Sequence, residues 1–371
     1  MKLILRGAKG KSTAFVLYGN PDLFLGMKSR KRKILVAVFA ILLIAIVYYW
    51  SLIVYGLEQG MGQLRIVRNA RPVGEFIADP DFPDSLKEKL LLIDEIRKFA
   101  IDSLGLKDTE NYKTMFDQKG EEVMWVVTAC EAFHFKPKTW DFPVVGTVPY
   151  KGYFNKDKAM REARKLKDEG WDVAVRNPGG WSTLGWFTDP ILTGMLSRGD
   201  GDLASLIIHE MVHATLWVPD SVTFNENLAS FIADTAAYDF LRMKYGENSP
   251  QYETYLYEDQ DYRKFSAFIL RAATHLDSVY ESMSDTIPVD EKKRRKEEEI
   301  RAIIANMDTL HLRLNPTPSK RYENRLPNNT YFMMYRHYQA RQPIFKEDFN
   351  TNFSGNLKGY IKHLSEKYPV L

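Results

Sequence analysis

The chain has 371 residues, with 51 Lys and Arg against 48 Asp and Glu and a net charge of +3. That balance is too even for a protein that holds nucleic acid by charge, and an apolar content of 45% excludes a disordered chain. The single cysteine, Cys130, excludes an internal disulfide framework; it follows an apolar run and reads as a buried thiol at a strand end.

Ile34–Tyr55 runs for 22 residues without a charge, long enough to cross a bilayer core as a helix. Lys28, Arg30, Lys31, Arg32 and Lys33 precede it, and Tyr48, Tyr49, Trp50 and Tyr55 close it, as basic and interfacial aromatic flanks do. The charge bias places the N-terminus in the cytoplasm and the bulk of the chain outside. No small-x-small cleavage site follows, so the run is expected to stay as a single-pass anchor. The expected division is therefore a basic cytoplasmic segment over 1–33, an anchor over 34–55 and one domain over 56–371. Met27-Lys28 opens a compact leader, so residues 1–26 are expected to be an extension upstream of the true start.

Past the anchor, Gly56–Ile77 reads as helix or as chain lying along the domain surface. Asp79-Pro80-Asp81-Phe82-Pro83 breaks it, and Ser85–Leu104 then sets Leu86, Leu90, Ile93, Ile96 and Phe99 on one helical face. Strands are expected at Val123–Thr128, Val144–Val148 and Asp172–Arg176, with a helix at Lys156–Glu169 that closes at Gly170. After the turn Asn177-Pro178-Gly179-Gly180, the segment Trp181–Phe187 reads as extended.

The next helix carries the chemistry. Leu203, Leu206, Ile207, Met211 and Leu216 repeat at helical spacing, Asp202 is a fitting N-cap, and His209-Glu210-Met211-Val212-His213 lies inside. Histidines four apart share a helix face and can offer two imidazole nitrogens to one zinc ion, while Glu210 can polarise a water at the metal. With only 7 His in the chain, a chance HExxH has a probability of roughly one per cent. Zinc needs a third protein ligand and an open position. Glu226, 13 positions after His213, is the best placed, because Pro219 and Asp220 end the first helix and a second apolar run starts near Phe224. Thr223-Phe224-Asn225-Glu226 also reads as a capping box that would turn Glu226 back on its own helix start. Asp220, Asp234 and Asp239 are the fallback ligands. Ser230 and Asp234, one and two turns after Glu226, could accept the N–H of a ligand imidazole.

Trp181–Phe187, just upstream of this helix, could bind the substrate backbone by strand addition through Ser182, Thr183, Leu184, Gly185 and Trp186, or could equally be a plain strand. Beyond the site, helices are expected at Asn225–Tyr245, Pro250–Ser284, Asp290–Leu314, Asn329–Gln339 and Asn356–Lys367; the mixed charges of Glu291–Arg301 read as a solvated face. Tyr335 and Tyr338 share a face of one of them and are candidate donors to a developing oxyanion. The fold class is α+β, a mostly helical domain with a small sheet.

With these residues in view, the chain resembles the bacterial family named putative (predicted) aminopeptidases, membrane-attached HExxH proteins. The resemblance runs from about Gly62 to the C-terminus. It is carried by Gly62-Gln63-Leu64, Ala70-Arg71-Pro72, Pro143-Val144-Val145-Gly146, Tyr150-Lys151-Gly152-Tyr153-Phe154, Ser182-Thr183-Leu184-Gly185-Trp186-Phe187 with Asp189-Pro190, the HExxH helix with Phe224-Asn225-Glu226, and Asn328-Asn329. It implies a zincin-like fold and a gluzincin-type site in which His209, His213 and Glu226 hold Zn2+, Glu210 is the general base and the substrate is a peptide or protein. It also implies a catalytic domain in the periplasm or cell exterior, held to the inner membrane. The Gly-Ala-Met-Glu-Asn motif that binds the free N-terminus in well-known aminopeptidases is absent. The rival readings are an intramembrane or endo-acting metalloprotease, a wall-peptide amidase, and a non-enzymatic envelope protein with a structural zinc. The oligomeric state is not legible.

Overall fold

A computed structural model describes residues 30–142, 146–178, 188–218, 221–339 and 342–368. The chain divides into two units, 1–61 and 62–371. In the first, the long apolar run does not form the single straight span expected. Helix α1 (Arg30–Tyr48) ends at Tyr48, and α2 (Trp50–Asn69), which runs on past the end of the first unit, continues at 70° to it. Among the described residues no single helix is long and apolar enough to cross a membrane, although this bent pair meets that test together by length and composition. The reason lies in where the break falls. The apolar part of α1, from Ile34 to Tyr48, rises about 22 Å, short of a hydrocarbon core of about 30 Å. The break sits in three consecutive aromatics, Tyr48-Tyr49-Trp50, and the first two rings pack edge to face at 4.9 Å.

The second unit is mostly helical with small sheets, the α+β class expected. Helix α3 (Val73–Ala78) leads to α4 (Asp84–Asp102), which buries Leu90, Ile93, Ile96 and Phe99, the face its periodicity predicts. Among the described residues eight short strands follow the chain as β1 (Arg71–Pro72), β2 (Thr114–Phe116), β3 (Trp125–Cys130), β4 (Trp140–Phe142), β5 (Gly146–Val148), β6 (Lys151–Tyr153), β7 (Asp172–Arg176) and β8 (Ile191–Leu192). They form two three-stranded sheets, in the orders β1-β2-β8 and β6-β3-β7, and the pair β4-β5. The expected strand at Val123–Thr128 thus lies two residues later, and of Val144–Val148 only the part from Gly146 is among the described residues. Helix α5 (Lys156–Asp168) is capped by Asn155, whose side chain accepts from the Lys158 amide, and the chain turns at Gly170 with φ +89°.

Helices α6 (Asp200–Thr215) and α7 (Val222–Tyr245) form the centre of the larger core. Helix α6 begins two residues before the expected cap. Gly199 takes the N-cap position, and Asp202 instead meets Arg198 at 2.5 Å. Helix α8 (Pro250–Glu281) is capped by the Ser249 hydroxyl. Helix α9 (Val289–Asn306) stops earlier than the expected Leu314, because the chain tightens into a 3₁₀ turn at Met307–Leu310 and His311 turns left-handed at φ +47°. The last three helices are α10 (Asn329–Gln339), α11 (Gln342–Phe353) and α12 (Leu357–Lys367), of which α11 lacked a sequence signal strong enough to place it. A second, smaller apolar cluster joins α8, α9 and α10 through Ile269, Leu276, Ile304 and Phe332.

A buried polar knot ties β7 to these later helices. The Asp172 carboxylate accepts from Lys296 Nζ and from the Asn329 amide, and the Asn329 side chain donates to the carbonyls of Glu131 and Ala132 while it accepts from Tyr280. Each member is satisfied, so the knot sets how α10 lies against β3 and β7 without leaving a buried charge unpaired. Cys130 beside it is fully buried, and burial pushes its thiol up to about 12, which makes it inert as expected.

Candidate metal centre

Two packed helices build the site. On α6 the i,i+4 spacing brings the His209 and His213 rings to one face, centroids 4.6 Å apart and nearly perpendicular. Leu203, Ala204, Ile207, Ile208, Met211 and Val212 bury the rest of the helix. Helix α7 returns after a short loop. Asn225 grips Val218: its side-chain oxygen accepts from the Val218 amide at 2.9 Å and its Nδ2 donates to the Val218 carbonyl at 2.8 Å. The next residue, Glu226, faces the histidines.

The geometry bears on the capping reading of Glu226. Helix α7 starts at Val222 with Ser221 at the N-cap, so Thr223 is already inside the helix and cannot cap it. The Glu226 carboxylate lies 3.5 Å from His209 Nε2 and 3.5 Å from His213 Nε2, and the two Nε2 atoms lie 3.0 Å apart. Burial opposes ionisation of Glu226, but hydrogen bonds from His209 and His213 outweigh it and hold the carboxyl well below the usual carboxylate range.

These three side chains could hold a metal ion, one ligand atom from each, all within 4.8 Å of one another. Zinc bonds of roughly 2.0–2.2 Å in a tetrahedral arrangement put neighbouring ligand atoms about 3.3 Å apart; the two Nε2 atoms lie 3.0 Å apart, and the carboxylate reaches each of them at 3.5 Å, through Oε2 to His209 and through Oε1 to His213. Two imidazoles and a carboxylate also match zinc in donor type. Among the described residues no fourth His, Cys, Asp or Glu joins the group.

The flanking residues divide. Ser230 Oγ is 3.5 Å from His209 Nδ1, a long contact on the side expected. Asp234 instead accepts from the Ser205 hydroxyl at 2.9 Å, and burial pushes its carboxyl up to about 6. His213 Nδ1 is buried with no hydrogen-bond partner, and the ring packs edge to face on Trp217 at 5.5 Å. Of the fallback ligands, Asp239 pairs with Arg242 at 2.7 Å, away from the cluster, and Asp220 lies outside the described residues.

Glu210 is half-buried on α6, and its negative charge reaches two tyrosines that sequence reasoning did not single out for the site. Tyr112 is buried with its hydroxyl unpartnered, and burial together with the charges of Glu210 and Asp189 raises its phenol well above the ordinary value. It holds a left-handed backbone, φ +64°, and its amide donates to the Asp189 carbonyl at 2.8 Å. Asp189 is itself buried, and its amide donates to the Asn111 side chain. Tyr150 is raised by burial and by the charges of Glu226 and Glu210. Its place in Tyr150-Lys151-Gly152-Tyr153-Phe154, a string that carries the family resemblance, was the available signal.

Tyr335, a candidate oxyanion donor, lies on α10. It packs on Phe265 and Tyr331 in the smaller apolar cluster, where burial pushes its phenol up to about 12. The side chain of Tyr338, and the segment Trp181–Phe187 with Ser182, Thr183, Leu184, Gly185 and Trp186, lie outside the described residues. A small cleft open to solvent has Glu226 in its wall. Tyr150, Thr128, Arg176, Met333 and Met334 line it.

No curated protein and no solved structure matches the chain. The family model described as "Putative aminopeptidase" matches residues 54–367, the strands, the helix pair with its three converging side chains and the cleft included. The chain belongs to that family.

Proposed function

We propose that this protein is a zinc-dependent peptidase, with His209, His213 and Glu226 as the metal ligands. The observation that carries the reading is the convergence of two Nε2 atoms and one carboxylate at 3.0–3.5 Å from one another. Bound there, zinc would supply a Lewis acid that activates water and polarises the scissile carbonyl. Glu210, one residue after the first ligand, takes the proton of the attacking water at its carboxylate and passes it to the leaving amine. His209 and His213 offer their Nε2 atoms, and Glu226 offers a carboxylate held below the usual carboxylate range. Three protein ligands leave a position for water, the pattern of catalytic rather than structural zinc.

The family description supports peptide-bond hydrolysis, and aminopeptidase action is the mode we favour. The HExxH helix is packed in a protein core and begins at Asp200 and Asp202, which favours a site in water over one inside a bilayer. Residues 34–55 would attach the protein to the inner membrane, with the site on the outer side; the support is the charge-free run with its basic and aromatic flanks.

The test uses the full-length protein. Metal analysis should find one zinc per chain, and a peptide library should be cleaved, at the first bond only if the action is that of an aminopeptidase. Glu210→Gln should keep the zinc and lose roughly 10²–10⁴-fold in rate. Undiminished cleavage by that variant, or a chain that binds no zinc, overturns the proposal.

A further inference from the structure

The cleft that has Glu226 in its wall contains a cation that the chemistry above does not use. Arg176 is the last residue of β7, and Thr128 lies on the neighbouring strand β3. The antiparallel register pairs Val126 with Arg176 and Thr128 with Ala174. Side chains two apart on a strand share a face, so Thr128 and Arg176 project from the same face as diagonal neighbours. Both line the cleft with Glu226.

Each is left with donors to spend. The hydrogen bond that Arg176 makes among the described residues goes from Nη1 to the thioether of Met334, and no carboxylate lies within ion-pair distance of it there. A thioether is a weak acceptor and neutralises no charge, so most of the five N–H donors of the guanidinium remain for a ligand. Thr128 is 7% exposed, and its hydroxyl is buried with no hydrogen-bond partner. A buried hydroxyl without a partner costs free energy unless a bound group completes it. Met333 and Met334 add apolar wall to the same cleft. A planar cation, a neighbouring hydroxyl donor and an apolar wall suit a carboxylate.

We propose that Arg176 and Thr128 bind a carboxylate of the substrate, and that the protein therefore selects peptides carrying a negative charge close to the bond it cuts. The proposal rests on the peptidase reading of the same site. The carboxylate has two sources, the free C-terminus of a short peptide or an acidic side chain. Arg176 orients the substrate and takes no part in bond breaking, so its loss raises KM more than it lowers kcat.

Full-length zinc-loaded protein is assayed with four alanine-based peptides: free acid or C-terminal amide, each with or without one glutamate. Binding of the same peptides to the Glu210→Gln protein is measured by calorimetry, which needs no turnover. A preference for the free acid over the amide identifies the C-terminus as the ligand, and a preference for glutamate identifies the side chain. Either preference should fall roughly tenfold to a hundredfold in Arg176→Gln, mainly in KM. It should be partly kept in Arg176→Lys and fall several-fold in the isosteric Thr128→Val, with zinc content unchanged in all three. Equal binding of all four peptides by the unaltered protein, or a preference that survives in Arg176→Gln, overturns the proposal. A zinc-loaded protein that cleaves peptides without such a preference sinks this inference alone, whereas one that cleaves none sinks the peptidase reading.

Discussion

Gly201→Ala tests how the HExxH helix is seated. Gly201 lies in the first turn of α6, buried against Tyr255 of α8. A Cβ at that position would stand 2.4 Å from both Cγ and Cδ2 of Tyr255 and 2.7 Å from its Cβ. Carbon atoms in contact prefer about 3.5–4.0 Å, so about 1 Å of separation must be found. The ring cannot provide all of it, because Tyr255 is 7% exposed and packs on Tyr238 at 4.9 Å, and its Cβ belongs to the helix. Overpacking of this kind costs about 1–3 kcal/mol. Alanine returns up to about 1 kcal/mol of helix propensity, less in a first turn. The expected net loss is about 1–2 kcal/mol. Urea unfolding followed by tryptophan fluorescence should show a lower midpoint at unchanged slope. In a Tyr255→Ala background the same change should cost less, since the ring makes the two shortest contacts. Zinc content is the control, because His209 lies about 12 Å further along the helix. A Gly201→Ala protein as stable as the unaltered one would refute the reasoning.

Two further changes probe the polar groups around the site. The Asp234 carboxyl titrates at about 6 in the fold against 3.8 unperturbed, chiefly through burial, with the Ser205 hydroxyl opposing and Asp259 adding to it. Between those values the folded state keeps a proton that the unfolded state has lost, so this group's contribution to stability falls as pH rises from about 4 to about 6. Asp234→Asn should remove that slope and raise stability at pH 7 by at most about 3 kcal/mol; melting curves at pH 4.5 and 7.5 with no difference between the two proteins would count against the burial argument. Tyr112→Phe deletes a buried hydroxyl that has no partner and should raise stability by about 1 kcal/mol. A loss in the urea midpoint would mean that the hydroxyl is held by a group bound in the site.

Much of the site could be read along the chain because its signals are local. His209 and His213 share a helix face by spacing alone, and the apolar positions around them predict the burial that is found. Elements with strong periodicity, such as Asp84–Asp102 and Asn329–Gln339, fall where expected. The strands of two or three residues carry too few positions for an alternation to show, so the β1-β2-β8 sheet was invisible. The opposite failure occurred at the N-terminus. Composition there promised one straight span, but composition is blind to the break at Tyr49 that splits the run into two helices at 70°.

What the sequence determined by itself was a local set of groups: two imidazoles and a carboxylate on one helix, with an acidic residue downstream. Whether Glu226 would cap its own helix or turn to the histidines was a question of where the second helix begins and how the loop before it is held. Asn225 clamping Val218 answers that, and so does a helix start at Val222 rather than Phe224. The cleft is wholly a product of tertiary structure. Thr128 and Arg176 are 48 residues apart in the chain, and only the register of β3 against β7 makes them neighbours. Local spacing can place ligands that share a helix, because the helix repeat is a property of the backbone. Groups on separate elements are brought together by packing and register, which no stretch of chain encodes alone.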